Sequence, residues 1–260
     1  MKISLTLRYI LCAFGLVAVS ANAFDVDKEQ RIAQQTLETL FIGEPLWLNT
    51  GGGSKDDKNK QFLSLLSSVD DAKGSIILIH GTGLGPDTPF VIGPLRELLA
   101  DNGYTTLALQ MPVLAGGNGF NEYSREFPES EKRISAAINY LKDNDEKNIM
   151  LLAHSLGSTM MMDWVDQNNV NALSGLISLG LGTSNTKGKI ANSILHIPLL
   201  DIIGESDYQN VLTAAELRKK NILKTNKHSK QVVIDGLDHF YTDHENKVVD
   251  VILDWFTTLD

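Results

Sequence analysis

Four short stretches of this chain carry side chains that could do chemistry together. Ser155 lies in LLAHSLGS, residues 151–158, with the small residues Ala153 and Gly157 two before and two after it. His80-Gly81-Thr82-Gly83 follows the apolar run SIILI. Glu205-Ser206-Asp207 follows PLLDIIG, and Asp235-Gly236-Leu237-Asp238-His239 follows QVVI. A serine hydroxyl is a poor nucleophile until a positioned base takes its proton. His239 is the candidate base and Asp207 the candidate acid to orient its ring. Small residues on both sides of Ser155 would let the chain turn sharply from strand to helix, which exposes the hydroxyl. A serine in that position could equally cap the helix that follows. The stretch by itself does not choose between the two.

Acyl transfer also needs backbone N–H groups aimed where an oxyanion forms. The N–H of Leu156, next after the serine, is one candidate, and Gly81 or Thr82 would supply the second. Other carboxylates compete with Asp207 for the orienting role. Asp201 lies inside an apolar run, where it would need a partner. Asp238 adjoins His239 and would have to fold back to reach its ring. Glu205 and Asp235 remain as further alternatives. A different chemistry is conceivable in DHFYTDHE, where Asp238, His239, Asp243 and His244 are potential metal ligands. Its two histidines are five apart, which does not place them on one helix face, and no H-E-x-x-H pattern occurs. GGGSK, within residues 50–60, lacks the spacing of a phosphate-binding loop. The expectation is an activity with neither cofactor nor metal.

Such residues must be positioned by something. From residue 75 onward, short continuously apolar runs alternate with helical patterns. The runs are 75–79, 105–110, 149–153, 175–181, 198–204 and 231–234, and the helical segments are 94–103, 130–144, 159–167, 214–223 and 247–259. Continuously apolar strands suit a parallel sheet covered on both faces. Strand–helix alternation implies right-handed crossovers and a doubly wound α/β domain. Upstream, residues 28–41 have helical spacing. PLWLN (45–49) and FLSLLS (62–67) flank a polar loop and predict an antiparallel hairpin. In such sheets ligands bind beyond the carboxyl ends of the strands, where all four stretches fall.

Composition limits the possible partners. The chain has 260 residues, 43% hydrophobic and 21% charged, with a formal charge of −9, proportions of a globular protein. Lys2 and Arg8, the apolar run 9–19 and Ala21-Asn22-Ala23 have the layout of an export signal cleaved after Ala23. This predicts a periplasmic or secreted protein with one domain over 24–260 and no stable membrane span after cleavage. Residues 1–23 hold two cations and no acid, so the remainder carries −11. That charge disfavours nucleic acid and anionic surfaces. The single cysteine, Cys12, lies within the signal, so thiol chemistry is not expected of the mature chain.

Strand-HG, strand-AHSLG, strand-GESD and strand-DH in this order resemble the α/β-hydrolase superfamily over about residues 45–260. HGTGLGPDTP, PLRELLADNGYTTLALQMP and LLAHSLGS further resemble a bacterial exported family of α/β-hydrolase-like proteins of unassigned function. The resemblance implies a serine hydrolase acting on a small-molecule or envelope-derived ester through Ser155, Asp207 and His239. Ala153 departs from the usual glycine of the serine turn by one methyl group. Residues 183–197 are too few for a cap domain. Residues 115–127, glycine-rich and ending in aromatics, are expected to form a mobile flap, and Met160, Met161 and Met162 to pack the core. The alternative is a non-catalytic relative that binds a ligand or an envelope partner.

Overall fold

The computed structural model describes residues 24–51, 60–116, 120–182 and 196–259. The expected export signal and the tip of the polar hairpin loop lie outside the described residues. Eight strands form one sheet: β1 (Glu44–Asn49), β2 (Gln61–Ser67), β3 (Ser75–Ile79), β4 (Thr105–Leu109), β5 (Ile149–His154), β6 (Gly175–Leu179), β7 (Leu199–Gly204) and β8 (Lys230–Ile234). Their order is β1-β2-β4-β3-β5-β6-β7-β8. β1 and β2 pair antiparallel, β2 meets β4 antiparallel, and every later pairing is parallel.

Alternation along the central strands divides the core between the two faces. Ile77, Ile79, Leu151 and Ala153 pack with α4 (Phe127–Asp143) and α5 (Leu156–Gln167), including Ile134, Met160 and Met161. Ile76, Leu78, Met150 and Leu152 pack with α2 (Ile92–Asp101) and α7 (Glu245–Phe256), including Leu95, Ile252 and Trp255. Met162 is buried as well, so the three consecutive methionines are core residues. This double covering explains why the strands read as unbroken apolar runs. β8 is the exception to the sequence reading: it is the edge strand and Val233 is 51% exposed.

Several helices begin earlier than their apolar patterns suggest. α2 starts at Ile92, α4 at Phe127 and α5 at Leu156. The flap expectation needs correction. Residues 120–127 enter a short helix, α3 (Phe120–Tyr123), a 3-10 turn (Ser124–Glu126) and the start of α4, with Tyr123, Glu126 and Phe127 buried. The Tyr123 hydroxyl accepts a hydrogen bond from the Leu114 N–H at 3.2 Å. Residues 117–119 of that segment lie outside the described residues, as do residues 183–195.

The strand order reverses at β3. From there the chain steps to β4 on one side and then to β5 on the other. A sheet opens a crevice at such a reversal, beyond the carboxyl ends of its strands. The HG loop leaves β3 and Ser155 leaves β5, so the fold places both at this crevice.

Candidate active site

Ser155 occupies a single-residue turn between β5 and α5, with φ 56° and ψ −121°. A positive φ is uncommon for any residue other than glycine, costs roughly 1–3 kcal/mol, and persists only where its surroundings impose it. Here they do. The Ser155 N–H donates to the Leu179 carbonyl of neighbouring β6 at 2.8 Å, and the Ser158 hydroxyl donates to the Ala153 carbonyl at 2.7 Å. Gly157 lets the turn sit against the end of β3, since a Cβ there would lie 2.5 Å from both the Ile79 and His80 carbonyl oxygens. The serine side chain makes no capping bond to α5. The capping role left open by the sequence is therefore not the one it plays.

Instead the Ser155 Oγ lies 2.9 Å from His239 Nε2. On the other side of the ring, His239 Nδ1 is 2.7 Å from Asp207 Oδ1. Asp207 reaches this place because the turns after β7 and β8 are tied together. Glu205 N–H donates to the Ile234 carbonyl at 3.0 Å and Ser206 N–H to the Leu237 carbonyl at 2.8 Å. Asp207 Oδ1 also accepts the Tyr208 N–H at 2.7 Å, and the Tyr208 ring stacks on His239 with centroids 4.4 Å apart. The carboxylate therefore orients the imidazole with Nδ1 as donor, which leaves Nε2 free to accept from the serine. Gly180, at φ 59°, makes room for that imidazole, for a Cβ there would fall 2.9 Å from two ring atoms.

Of the competing acids, Asp235 is exposed at the surface, and the other three have partners of their own. Asp201 is buried in a four-bond cluster with Ser178, Arg218 and Gln231. Glu205 accepts the Gly236 N–H at 2.9 Å, and Asp238 Oδ1 accepts from the backbone of Phe240 and Tyr241. Asp238, His239, Asp243 and His244 do not converge as ligands. Among the described residues no three His, Cys, Asp or Glu side chains are grouped as a metal would need.

A cleft of about 300 Å³ opens at Ser155, lined by Thr82, Leu156, Thr159, Gly180, Asn210, Val211 and His239 among others. Gly81 backs onto the serine: a Cβ built on it would lie 3.1 Å from Ser155 Cβ. Leu156 heads α5, where the first N–H groups of a helix have no partner within it.

Two further histidines at the site were not singled out as functional from the sequence. His80 accepts the Met111 N–H on Nε2 at 2.9 Å, so Nδ1 carries the proton and donates to the Gly81 carbonyl at 2.7 Å. In a planar trans peptide this directs the Thr82 N–H to the opposite side. His154 donates from Nε2 to the His239 carbonyl at 2.9 Å, joining the serine turn to the histidine loop. Its Nδ1 has no partner among the described residues. Burial pushes both rings down to about 4, and for His154 the nearby His239 adds to the effect. Both are therefore neutral fixtures of the site near pH 7. The sequence signal for them is position alone, each being the last residue before its strand-end turn.

This architecture recurs in solved structures. A dienelactone hydrolase from Anabaena variabilis superposes with a TM-score of 0.63 at 16% identity, over 84% of this chain and 99% of that one. Est1E from Butyrivibrio proteoclasticus gives 0.60 at 16%, over 84% and 98%. XC6422 from Xanthomonas campestris, described as an α/β serine hydrolase without lid, gives 0.61 at 12%, over 84% and 95%. The chain has the α/β-hydrolase fold. A family model described as "Protein of unknown function (DUF3530)" matches residues 53–130. That span holds the HG loop of the α/β-hydrolase fold but ends before Ser155, Asp207 and His239. No curated protein sequence matches the chain. No helix among the described residues is long and apolar enough to cross a membrane.

Proposed function

We propose that this protein is a serine hydrolase of ester-type substrates, with Ser155 as nucleophile, His239 as general base and Asp207 as the acid that orients it. The observation that carries the reading is the continuous bonding from Ser155 Oγ through His239 to Asp207 Oδ1, at 2.9 and 2.7 Å, with the serine on a strained turn and free of any capping bond. In this reading His239 Nε2 takes the serine proton as Oγ bonds to the ester carbonyl carbon. The carbonyl electron pair moves onto oxygen, where the N–H groups of Leu156 and of Gly81 or Thr82 meet it. On collapse the ester C–O bond breaks and His239 hands its proton to the leaving oxygen. Water then attacks the acyl carbon, His239 takes its proton, and the acid leaves as Ser155 recovers its hydrogen.

The proposal extends to place and partners. The layout of residues 1–23 supports a site of action in the periplasm or outside the cell, on a small or envelope-derived ester. Labelling by a fluorophosphonate probe, with turnover of short-chain esters, tests the reading directly. Wild type should label and turn over, and Ser155→Ala should do neither. A wild type that is inert to both would leave a non-catalytic binding protein as the better account.

A further inference from the structure

Two exposed aromatic rings stand beside the site on backbone that is costly to hold. Phe90 is 45% exposed and Phe240 37% exposed, and their rings meet edge to face with centroids 6.1 Å apart. Phe240 in turn lies edge-on to His239 at 5.4 Å. Each phenylalanine is followed at once by a buried residue at positive φ, Val91 at 61° and Tyr241 at 53°.

Val91, with ψ −73° and an Ile92 N–H to Phe90 carbonyl bond of 2.7 Å, forms a γ-turn of the rare positive-φ type. A β-branched residue is among the least suited to it. The loop is held from behind. Fully buried Arg96 reaches Asp87 at 2.6 Å, and Thr88 exchanges bonds with Gly85 at 2.8 and 2.9 Å. On the other side the Tyr241 hydroxyl donates to the Ile202 carbonyl at 3.2 Å, while Asp238 Oδ1 gathers the Phe240 and Tyr241 N–H groups. Two independent loops thus spend backbone strain to hold two large apolar rings in solvent, where burial would have been favourable.

We infer that Phe90 and Phe240 form a leaving-group subsite, and that the substrate is an uncharged ester of a small acid with an aromatic or similarly bulky apolar alcohol. The inference rests on the serine hydrolase reading. The leaving oxygen must approach His239 Nε2 to receive its proton, so the group it carries departs along the flank of that ring. Phe240 stands against that ring at 5.4 Å, Phe90 lies beyond Phe240, and neither lines the 300 Å³ cleft. The cleft is left to the acyl part. Its size suits a short acid, and among the described lining residues none is Lys, Arg, Asp or Glu.

The test compares benzyl acetate with methyl acetate, whose leaving groups are similarly basic, and methyl hexanoate as the acyl control. The proteins are wild type, Phe90→Ala/Phe240→Ala and Phe90→Leu/Phe240→Leu. Wild type should prefer benzyl over methyl acetate in kcat/KM. The double alanine variant should lose about tenfold more on benzyl acetate than on methyl acetate, the size expected for lost ring contacts. The leucine variant should recover most of it, and kcat for a shared acetyl intermediate should hold where deacylation limits. Equal losses on both acetates, or a loss confined to methyl hexanoate, would overturn the inference. A wild type that labels and hydrolyses methyl acetate without preferring the benzyl ester defeats the subsite alone. Failure to label or to hydrolyse any ester defeats both.

Discussion

Of the three acids on strand β7 and the turn after it, Asp201 and Asp207 lie six residues apart and have opposite surroundings. Asp201 lies within the strand and is fully buried. Its two oxygens accept from Ser178 at 2.7 Å, from Arg218 at 3.0 and 3.2 Å, and from Gln231 at 2.8 Å. Asp207 lies just past the strand end. Its Oδ1 accepts from His239 and Tyr208, and its Oδ2 has no partner among the described residues. A saturated carboxylate with its own guanidinium is a structural element. In the proposed reaction, a carboxylate whose only side-chain partner among the described residues is a histidine that reaches a serine acts through that histidine. The difference comes from where the sheet stops. Inside it, neighbouring strands and α6 (Gln209–Thr225) surround the side chain, while beyond it only loops do.

Exchanging each acid for its amide should separate the two roles. Asp207→Asn should leave the fold intact and lower kcat by about 10⁴, because the amide favours the wrong imidazole tautomer. Asp201→Asn should do the reverse. It strands a buried guanidinium, so it should cost about 3–5 kcal/mol of unfolding free energy in denaturant titrations. The kcat/KM of the protein that remains folded should change by less than about threefold, since Asp201 touches none of the groups in the acyl-transfer steps. A large activity loss in folded Asp201→Asn would show instead that the buried acid also takes part in turnover.

Much of this contrast was legible in the residues. The apolar run through Asp201 marked a carboxylate in need of a partner, and the position of Asp207 after a strand end marked one free to work. The five strands β3 to β7 follow from runs whose two faces are both covered. What remained hidden depends on contacts between segments far apart in sequence. Arg218 as the partner of Asp201 is set by the packing of α6 on the sheet. The bond from His154 to the His239 carbonyl spans 85 residues. Phe90 and Phe240 stand out because of backbone strain at Val91 and Tyr241, which no periodicity encodes. The flap expectation failed because Tyr123 and Phe127 are buried. A glycine-rich start says nothing about how firmly the aromatics after it are anchored.

The buried histidines of the site and the Asp201 cluster should also respond differently to acid. His80 and His154 have folded-state values lowered from 6.5 to about 4 by burial. Below pH 6.5 the unfolded chain takes up protons that the folded chain refuses. Stability is thus complete above that value and is lost as pH falls towards about 4. The loss is on the order of 3 kcal/mol for each ring. Replacing His154 by Gln should make the decline between pH 6.5 and 4.5 shallower. Ser178→Ala, in the Asp201 cluster, should lower the whole curve by about 1 kcal/mol without changing its slope in that window. Parallel curves for wild type and His154→Gln would mean that the buried ring is protonated in the folded protein.

The smallest effect concerns Ala153, the residue that stands where a serine turn usually has glycine. Its side chain is buried in the core beside Ile79 and Leu151, and its carbonyl accepts from Ser158. The closest approach of the turn to β3 occurs on the other side, at Gly157, where a Cβ would meet two carbonyl oxygens. The turn is therefore held in shape from the Gly157 side, and position 153 needs only a side chain small enough for a central strand. Ala153→Gly should lose about 0.5–1 kcal/mol of stability through added chain freedom. Its kcat/KM should stay within about twofold, because the turn at Ser155 is held by one backbone bond to β6 and by the Ser158 hydroxyl bond to the 153 carbonyl. A tenfold gain in activity would show instead that the methyl group distorts the serine turn.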